Sequence, residues 1–108
     1  MQCGEVYRNQ NYVGIIERSD ENIYSFQYAN EYLSNPENQA ISVNFPFQKE
    51  PFISNDLFAF FYQFLSEGSL KELQCKELKI DMDDDFSRLL KTTQDDAIGS
   101  ITIKETIL

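Results

Sequence analysis

The acidic segment at residues 81–85, with the sequence DMDDD, comes nearest to a metal site in residue type and spacing. Its alternating carboxylates resemble the start of a calcium-binding loop, which holds the ion with carboxylate oxygens. However, Phe86 replaces the glycine that such a loop requires, and Thr92 stands where a bidentate glutamate is needed. We therefore expect no metal here and interpret the segment as a helix start with a solvated acidic face.

Catalytic groups are scarce in the rest of the chain. No histidine is present, which excludes Ser-His-Asp and Cys-His pairs, and Cys3 and Cys75 are too few for a tetrahedral zinc site. Two acidic pairs remain, Asp95 with Asp96 and Glu72 with Glu77. Nothing beside either pair indicates the apolar pocket that acid-base catalysis requires, and the four glycines are isolated, so no phosphate loop exists. We expect a protein without catalytic residues, metal or cofactor.

The composition indicates one small acidic domain spanning residues 1–108, with 42% hydrophobic residues to build a core. Eighteen acidic residues against nine basic ones give a net charge of -9. This charge disfavours nucleic acid and anionic membranes and favours a basic protein surface as the partner. No apolar run approaches the ~20 residues of a membrane span, and no signal peptide is recognisable. We expect a cytoplasmic protein with reduced thiols.

Alternating apolar and polar residues predict a largely antiparallel sheet, with a hairpin turn at Asn9-Gln10-Asn11. The predicted strands are residues 6–8, 12–16, 23–28, 40–45 and 99–104, the last with Ile101 and Ile103 on one face. Residues 30–33 are expected to form one helical turn before Asn35-Pro36.

The middle of the chain predicts three helices. The first covers residues 57–65 after capping side chains at residues 54–56, and Gly68 would end it. The second begins at a capping box, SLKE at residues 69–72, and carries Leu70, Leu73 and Leu78. The third begins near residues 83–85 and has the inner stripe Phe86, Leu89, Leu90 and Thr93. The predicted fold class is α+β, a mainly antiparallel sheet with three helices packed on one side.

Tyr62 stands apart from the other aromatic residues of the first helix. The six large apolar residues of that helix fall within an arc of about 160°, and Tyr62 lies just outside it. Its ring should therefore be partly exposed, which suits either an ordinary amphipathic surface tyrosine or an interface anchor.

Five stretches in order resemble the N-terminal subdomain of the HipA-type serine/threonine kinases, the toxins of bacterial toxin–antitoxin pairs. They are VYRNQNYVG (6–14), YSFQY (24–28), AISVNFP (40–46), FFYQFLSEG (60–68) and GSITI (99–103). In the family the fourth resembles F-F-x-N-L-L-P-E-G and the last G-A-V-x-I. This chain departs from the pattern at Gln10, where the family usually has glycine, at Ser66, which replaces a proline, and at Tyr62, commonly a polar residue in the fused kinases.

The chain is also similar to stand-alone versions of this subdomain, the HipS antitoxins of three-component HipBST systems, because it contains no kinase catalytic motif. The resemblance implies a HipA N-subdomain 1-like fold, a HipT-like kinase toxin as partner and a HipB-like helix-turn-helix protein in a ternary complex. We expect Tyr62 to anchor the docking surface, with Gln63, Ser66 and Glu67 as polar neighbours.

Two other functions fit the sequence. The chain would equally serve as a non-inhibitory structural subunit that completes a split kinase, because both functions need the same docking. Its charge would also allow an acidic decoy that occupies a DNA-binding protein, although the acids cluster near residues 81–85 and 95–96 without forming a regular track.

Overall fold

The computed structural model describes residues 1–93 and 101–106. Within them, five antiparallel strands form one sheet in the order β4-β3-β2-β1-β5. The strands are β1 (Gln2–Arg8), β2 (Asn11–Arg18), β3 (Tyr24–Tyr28), β4 (Phe52–Ser54) and β5 (Ile101–Thr106). The helices are α1 (Asn30–Ser34), α2 (Ala59–Tyr62), α3 (Gly68–Leu78) and α4 (Asp85–Thr92). The α+β class is confirmed.

The three-stranded meander β1-β2-β3 follows the predicted alternation. Arg8 pairs with Asn11, so the first hairpin turns over two residues. Both of these residues, Asn9 and Gln10, have positive φ, at 50° and 72°. That geometry matches the right-handed twist of the strands, and asparagine tolerates it better than glutamine does. The predicted turn is therefore confirmed, and its second position is Gln10 instead of the glycine that such turns prefer.

Helix α4 and strand β5 close the core as the sequence predicts. The Asp84 carboxylate caps α4 by accepting the backbone N–H of Ser87 at 3.1 Å. The inner stripe of α4 is buried, as are Ile101 and Ile103 on β5. A Cβ atom on Gly4 would lie 2.6 Å from a side-chain methyl of Leu90, so α4 packs directly on β1. Gly99 and Ser100, also predicted in this strand, lie outside the described residues.

The predicted fourth strand at residues 40–45 is wrong, because the fourth strand of the sheet is Phe52–Ser54. The hydroxyl of Tyr28 donates to the carbonyl of Phe45 at 2.5 Å and accepts the N–H of Ile41 at 3.1 Å. A buried side chain thus satisfies backbone groups that a strand ladder would otherwise pair. Residues 40–45 consequently loop over the core, with the Phe45 ring buried in it.

The predicted helix at residues 57–65 is reduced to one turn, α2, whose N-cap is Phe58 without a capping side chain. Its backbone N–H groups bond three residues back, from Phe61 to Phe58 at 3.0 Å and from Phe64 to Phe61 at 3.2 Å. Such tight turns are typical of short helices. The predicted side-chain directions are nevertheless kept over this turn, because Phe61 is fully buried and Tyr62 is exposed.

The start of α3 also differs from the prediction. Gly68 has φ +61° but is the first residue of α3 rather than the end of the preceding helix. The N-cap is Glu67, without a side-chain capping hydrogen bond, so the capping box at residues 69–72 is wrong. Of the residues of α3, all of which are described, Cys75 alone is buried.

The helices pack on one side of the sheet, around an aromatic centre. Phe26 on β3 lies within 6.3 Å, centroid to centroid, of four other rings. These rings belong to Tyr28, Phe45, Phe52 and Phe61. Edge and tilted contacts of this kind stabilise by about 0.5–1.5 kcal/mol beyond burial. This core holds the base of α2, which carries Tyr62.

Candidate partner-docking site

The loop at residues 63–67, which joins α2 to α3, runs beside the first turn of α4. A cavity of about 410 Å³ opens between them. It is lined by Tyr62, Leu65, Ser66, Glu67, Gly68, Lys71, Asp85 and Arg88. Three separate elements therefore meet at this cavity, and each contributes a polar side chain.

Tyr62 stands at the edge of this cavity and is 44% exposed, as its position outside the apolar arc predicts. The preceding residue, Phe61, is fully buried, which fixes the backbone from which Tyr62 projects. Partial burial raises the pKa of the Tyr62 hydroxyl, and the charge and hydrogen bond of Asp85 raise that pKa further. The hydroxyl therefore stays protonated at neutral pH, so the exposed ring has an uncharged polar tip.

Arg88 forms the inner wall of the cavity and is only 4% exposed. Its Nη1 atom lies 2.8 Å from the Asp85 carboxylate, and its Nη2 atom donates to the Ser66 carbonyl at 2.5 Å. A buried cation is tolerated only with such partners. Arg88 thereby ties the loop to α4, across 22 residues of sequence.

The predicted docking residues are brought together in part. Tyr62, Ser66 and Glu67 line the cavity, whereas Gln63 does not. The Gln63 side chain is exposed and donates its Nε2 to the Phe60 carbonyl at 2.9 Å, back along its own turn. Its amide is therefore engaged locally and is the weakest member of the predicted set.

Sequence reasoning missed Lys71, Asp85 and Arg88 in this cavity. The sequence indicates Asp85 only as part of a helix start, although its position three residues before Arg88 is a usual spacing of an ion pair on a helix. That spacing is the one signal that could have drawn attention to the pair. Nothing in the sequence relates either residue to the loop, because their link to Ser66 is a long-range contact.

The acidic segment that resembled a calcium loop is used differently. Asp84 caps α4 and pairs with Arg18 of β2 at 2.9 Å, while Asp81 accepts the backbone N–H of Asp83. The helix start predicted at this segment is confirmed. Within residues 1–93 and 101–106 there is no group of three or more histidine, cysteine or acidic side chains able to hold a metal.

The remaining candidates for chemistry do not converge on the cavity. Cys3 and Cys75 are both free and buried. Glu72 and Glu77 are exposed on α3, and residues 95–96 lie outside the described part of the chain. Across the described ranges, no helix has the length and hydrophobicity to span a membrane.

The fold and this cavity define a small α+β domain, with a one-sided antiparallel sheet and an exposed aromatic residue, Tyr62, at the end of α2 beside a tied loop. The chain belongs to the HipA N-terminal domain family, whose model matches residues 4–104. A protein of Haemophilus influenzae (strain Rd), described as uncharacterized, is 30% identical over 105 residues, which are 97% of this chain and 93% of that protein. The predicted family resemblance is confirmed.

A solved structure titled "N-terminal domain of HipA toxin" shares the fold. It superposes with a TM-score of 0.67 at 23% identity and covers 99% of this chain and 94% of that chain. The predicted HipA N-terminal architecture is therefore confirmed.

Proposed function

We propose that this chain is a non-enzymatic antitoxin that binds and inhibits a HipT-like serine/threonine kinase. Membership of the HipA N-terminal domain family supports the kinase as partner. The similar protein of Haemophilus influenzae supports a domain that acts separately from its kinase, because 93% of that protein is matched by this chain. A HipB-like helix-turn-helix protein is the third member of the proposed complex, and the chain itself contacts neither nucleic acid nor membrane.

The observation that carries the proposal is the exposure of Tyr62 at the edge of a cavity whose loop is tied down by Arg88. A ring with two side-chain torsions, projecting from a helical turn next to a braced loop, loses little conformational entropy when it enters a partner's pocket. Ser66 and Glu67 beside it provide hydrogen-bonding groups at the rim. Tyr62 is thus the proposed anchor.

Charge supports the same partner. Kinases hold ATP phosphates with lysine, arginine and magnesium, so the mouth of their active site attracts anions. A chain of net charge -9 is steered toward such a mouth, and opposite charges raise the association rate more than the final affinity. Binding of Tyr62 at this mouth would exclude substrate.

One observation favours the second candidate function, a structural subunit that supports a split kinase. The solved structure with this fold is titled as a domain of the toxin itself. Docking at the same surface would then complete the kinase rather than block it.

A kinase assay separates the two functions. Purified chain is added to the HipT-like kinase, and autophosphorylation is followed with labelled ATP. Inhibition lowers the signal and a supporting role raises it. The Tyr62→Ala variant should lose at least tenfold in inhibitory potency, whereas Tyr62→Phe, which keeps the ring, should stay within about threefold. Gln63→Ala is the neighbouring control and should behave like wild type. Full inhibition by Tyr62→Ala would remove Tyr62 as the anchor.

A further inference from the structure

Strand β4 lies at one edge of the sheet, and among the described residues only β3 pairs with it. Its middle residue, Ile53, is 63% exposed. An edge strand presents backbone N–H and C=O groups with which another extended chain can pair. Which of these groups are free on β4 follows from the hydrogen bonds of the neighbouring strands.

The backbone groups of Ile53 point away from the sheet. At the turn between β2 and β3, the N–H of Ser19 bonds to the carbonyl of Ile23 at 2.9 Å. Hydrogen-bonded pairs recur at every second residue of an antiparallel ladder, so Ser25 directs its backbone groups toward β2 and away from β4. Ile53 lies opposite Ser25 and therefore faces outward, where no described residue bonds to its N–H or carbonyl.

An apolar cavity of about 290 Å³ opens beside this edge, on the side of the sheet that carries the helices. It is lined by Asn44, Phe45, Phe52, Ile53, Phe58, Ala59 and Phe60. In a strand added along β4, the residue opposite Ile53 would point away from the helices and its two neighbours would point toward them. One of these neighbours would enter the cavity, whose phenylalanine walls select a large apolar side chain.

This β4 cavity adjoins the Tyr62 docking site through α2. Ala59 lines the β4 cavity, Tyr62 lines the docking cavity, and both residues are exposed. They are three residues apart on the single turn of α2, so their side chains project from the same side of that turn, about 5–6 Å apart along its axis. A partner that covers Tyr62 from this side therefore reaches the mouth of the β4 cavity.

Area and charge argue against a second copy of the chain as the occupant. Strand β4 has three residues and is about 10 Å long, so two copies paired through it would bury on the order of 200 Å². A stable interface needs about 1,000 Å². Two chains of net charge -9 also repel each other, whereas the proposed kinase attracts anions at its active-site mouth. On a kinase bound at Tyr62, the same edge enlarges a single interface.

We infer that the β4 edge takes up an extended segment of the same kinase, which pairs with Ile53 and places a large apolar side chain in the β4 cavity. This inference rests on the proposed function. Two main-chain hydrogen bonds to Ile53 would fix the register of the segment, and the cavity would select its side chain. Tyr62 would then act at the active-site mouth, while β4 holds a second part of the kinase.

Hydrogen exchange of single amides tests this pairing on the wild-type chain. The Ile53 N–H should exchange rapidly in the free chain, and saturation with the HipT-like kinase should slow its exchange at least tenfold. The Glu105 N–H on β5 is the matched control at the opposite edge. It faces outward because it lies two residues after Ile103, whose N–H bonds outside the sheet to the Thr93 carbonyl. Its exchange rate should change less than twofold.

Proline substitution tests the same contact through affinity. Ile53→Pro removes the outward N–H but no hydrogen bond of the β3-β4 pair, a change that edge strands tolerate. The Kd for the kinase, measured by calorimetry, should rise at least fivefold. Val43→Pro is the matched control and should stay within about twofold. Val43 is 95% exposed, and the Ser42 carbonyl accepts the N–H of Phe45, so position 43 is the second residue of a turn, where proline fits. Circular dichroism checks that both variants are folded.

The outcomes distinguish the inference from the function on which it rests. If wild-type chain neither binds nor inhibits the kinase, the proposed function fails. If it binds and inhibits while the Ile53 amide exchanges as in the free chain, or while folded Ile53→Pro binds as tightly as Val43→Pro, the inference alone is overturned. Protection of Ile53 that appears without kinase and grows with chain concentration would identify a second copy as the occupant and also overturn the inference.

Discussion

Replacing Arg88 with methionine should destabilise the fold more than any other single change at the docking surface. Methionine keeps the apolar stem of the side chain but removes both of its polar contacts. The Ser66 carbonyl then loses its donor, and the Asp85 carboxylate loses its counter-charge. The loop at residues 63–67 is released from α4, so stability and kinase binding should fall together.

The magnitude follows from the burial of the two partners. The Arg88 side chain is 5% exposed and that of Asp85 is 30% exposed. Removing one member of a buried pair costs about 3–5 kcal/mol, because the other is left uncompensated. Water can reach Asp85, which places the loss near 3 kcal/mol. For a domain near 100 residues this lowers the melting temperature by about 12–24 °C.

Thermal unfolding followed by circular dichroism measures this loss. Arg8→Met is the matched control, because Arg8 forms no ion pair within residues 1–93 and 101–106. A surface change of that type should alter stability by no more than ~0.5 kcal/mol. Melting temperatures for the two variants within about 2 °C of each other would refute the role of Arg88 as the tie between loop and helix.

Four further substitutions test backbone packing and polar contacts by urea unfolding. Gly14→Ala should lower the free energy of unfolding by about 3 kcal/mol, because the new Cβ would lie 2.1 Å from a backbone carbonyl oxygen of β3. Gly68→Ala should lower it by only about 1 kcal/mol, because no described atom outside its own helical turn lies within 4 Å of the new Cβ and the cost comes from the φ of +61° alone. Tyr28→Phe should lose about 2 kcal/mol, since its hydroxyl makes two hydrogen bonds to backbone groups of residues 40–45. Burial alone would raise the pKa of Asp84, but hydrogen bonds from Ser87 and the Arg18 guanidinium outweigh it and hold that pKa below its ordinary value. The Asp84 carboxylate therefore contributes its full stabilisation of the folded state above pH ~4, and this stabilisation is lost as the pH falls through the lowered pKa. The free energy of unfolding of Asp84→Asn should be about 1 kcal/mol below that of wild type at pH 7, and the difference should disappear in acid.

The sheet was largely predictable because its strands have one buried and one wet face. In β3 the aromatic positions Tyr24, Phe26 and Tyr28 all point toward the core side, and alternation alone identifies them. In α4 a capping aspartate and a regular apolar stripe identify the helix in the same way. The periodicity of apolar residues is enough to predict an element whose conformation is decided by residues close to it in the sequence.

Residues 40–45 show where local pattern is insufficient. Their alternation fits a strand, yet the Tyr28 hydroxyl holds their backbone from outside the segment. The actual edge strand, Phe52–Ser54, has only three residues and gives too short a signal to detect. A contact between distant parts of the chain therefore decides which of the two segments pairs with β3.

The docking site likewise contains one feature that the local sequence predicts and one that it does not. The exposure of Tyr62 follows from its own helical position, so it was predictable. Arg88 lies roughly 160° around α4 from Phe86, which predicts a solvent-facing side chain. It is buried because the loop bearing Ser66 reaches it, and no pattern within α4 encodes that approach.

Tyr62 is placed so that changing it should affect partner binding without affecting the stability of the fold. The two preceding residues, Phe60 and Phe61, pack against each other and into the core, with ring centroids 5.2 Å apart. Their burial fixes the direction of the next side chain whatever its type, because successive residues of a helical turn differ by about 100°. Position 62 is therefore free to vary without loss of the core, and Tyr62→Ala should melt within a few degrees of wild type. A loss of kinase inhibition in that variant would then report on the contact that Tyr62 makes with its partner, since the scaffold that presents it is unchanged.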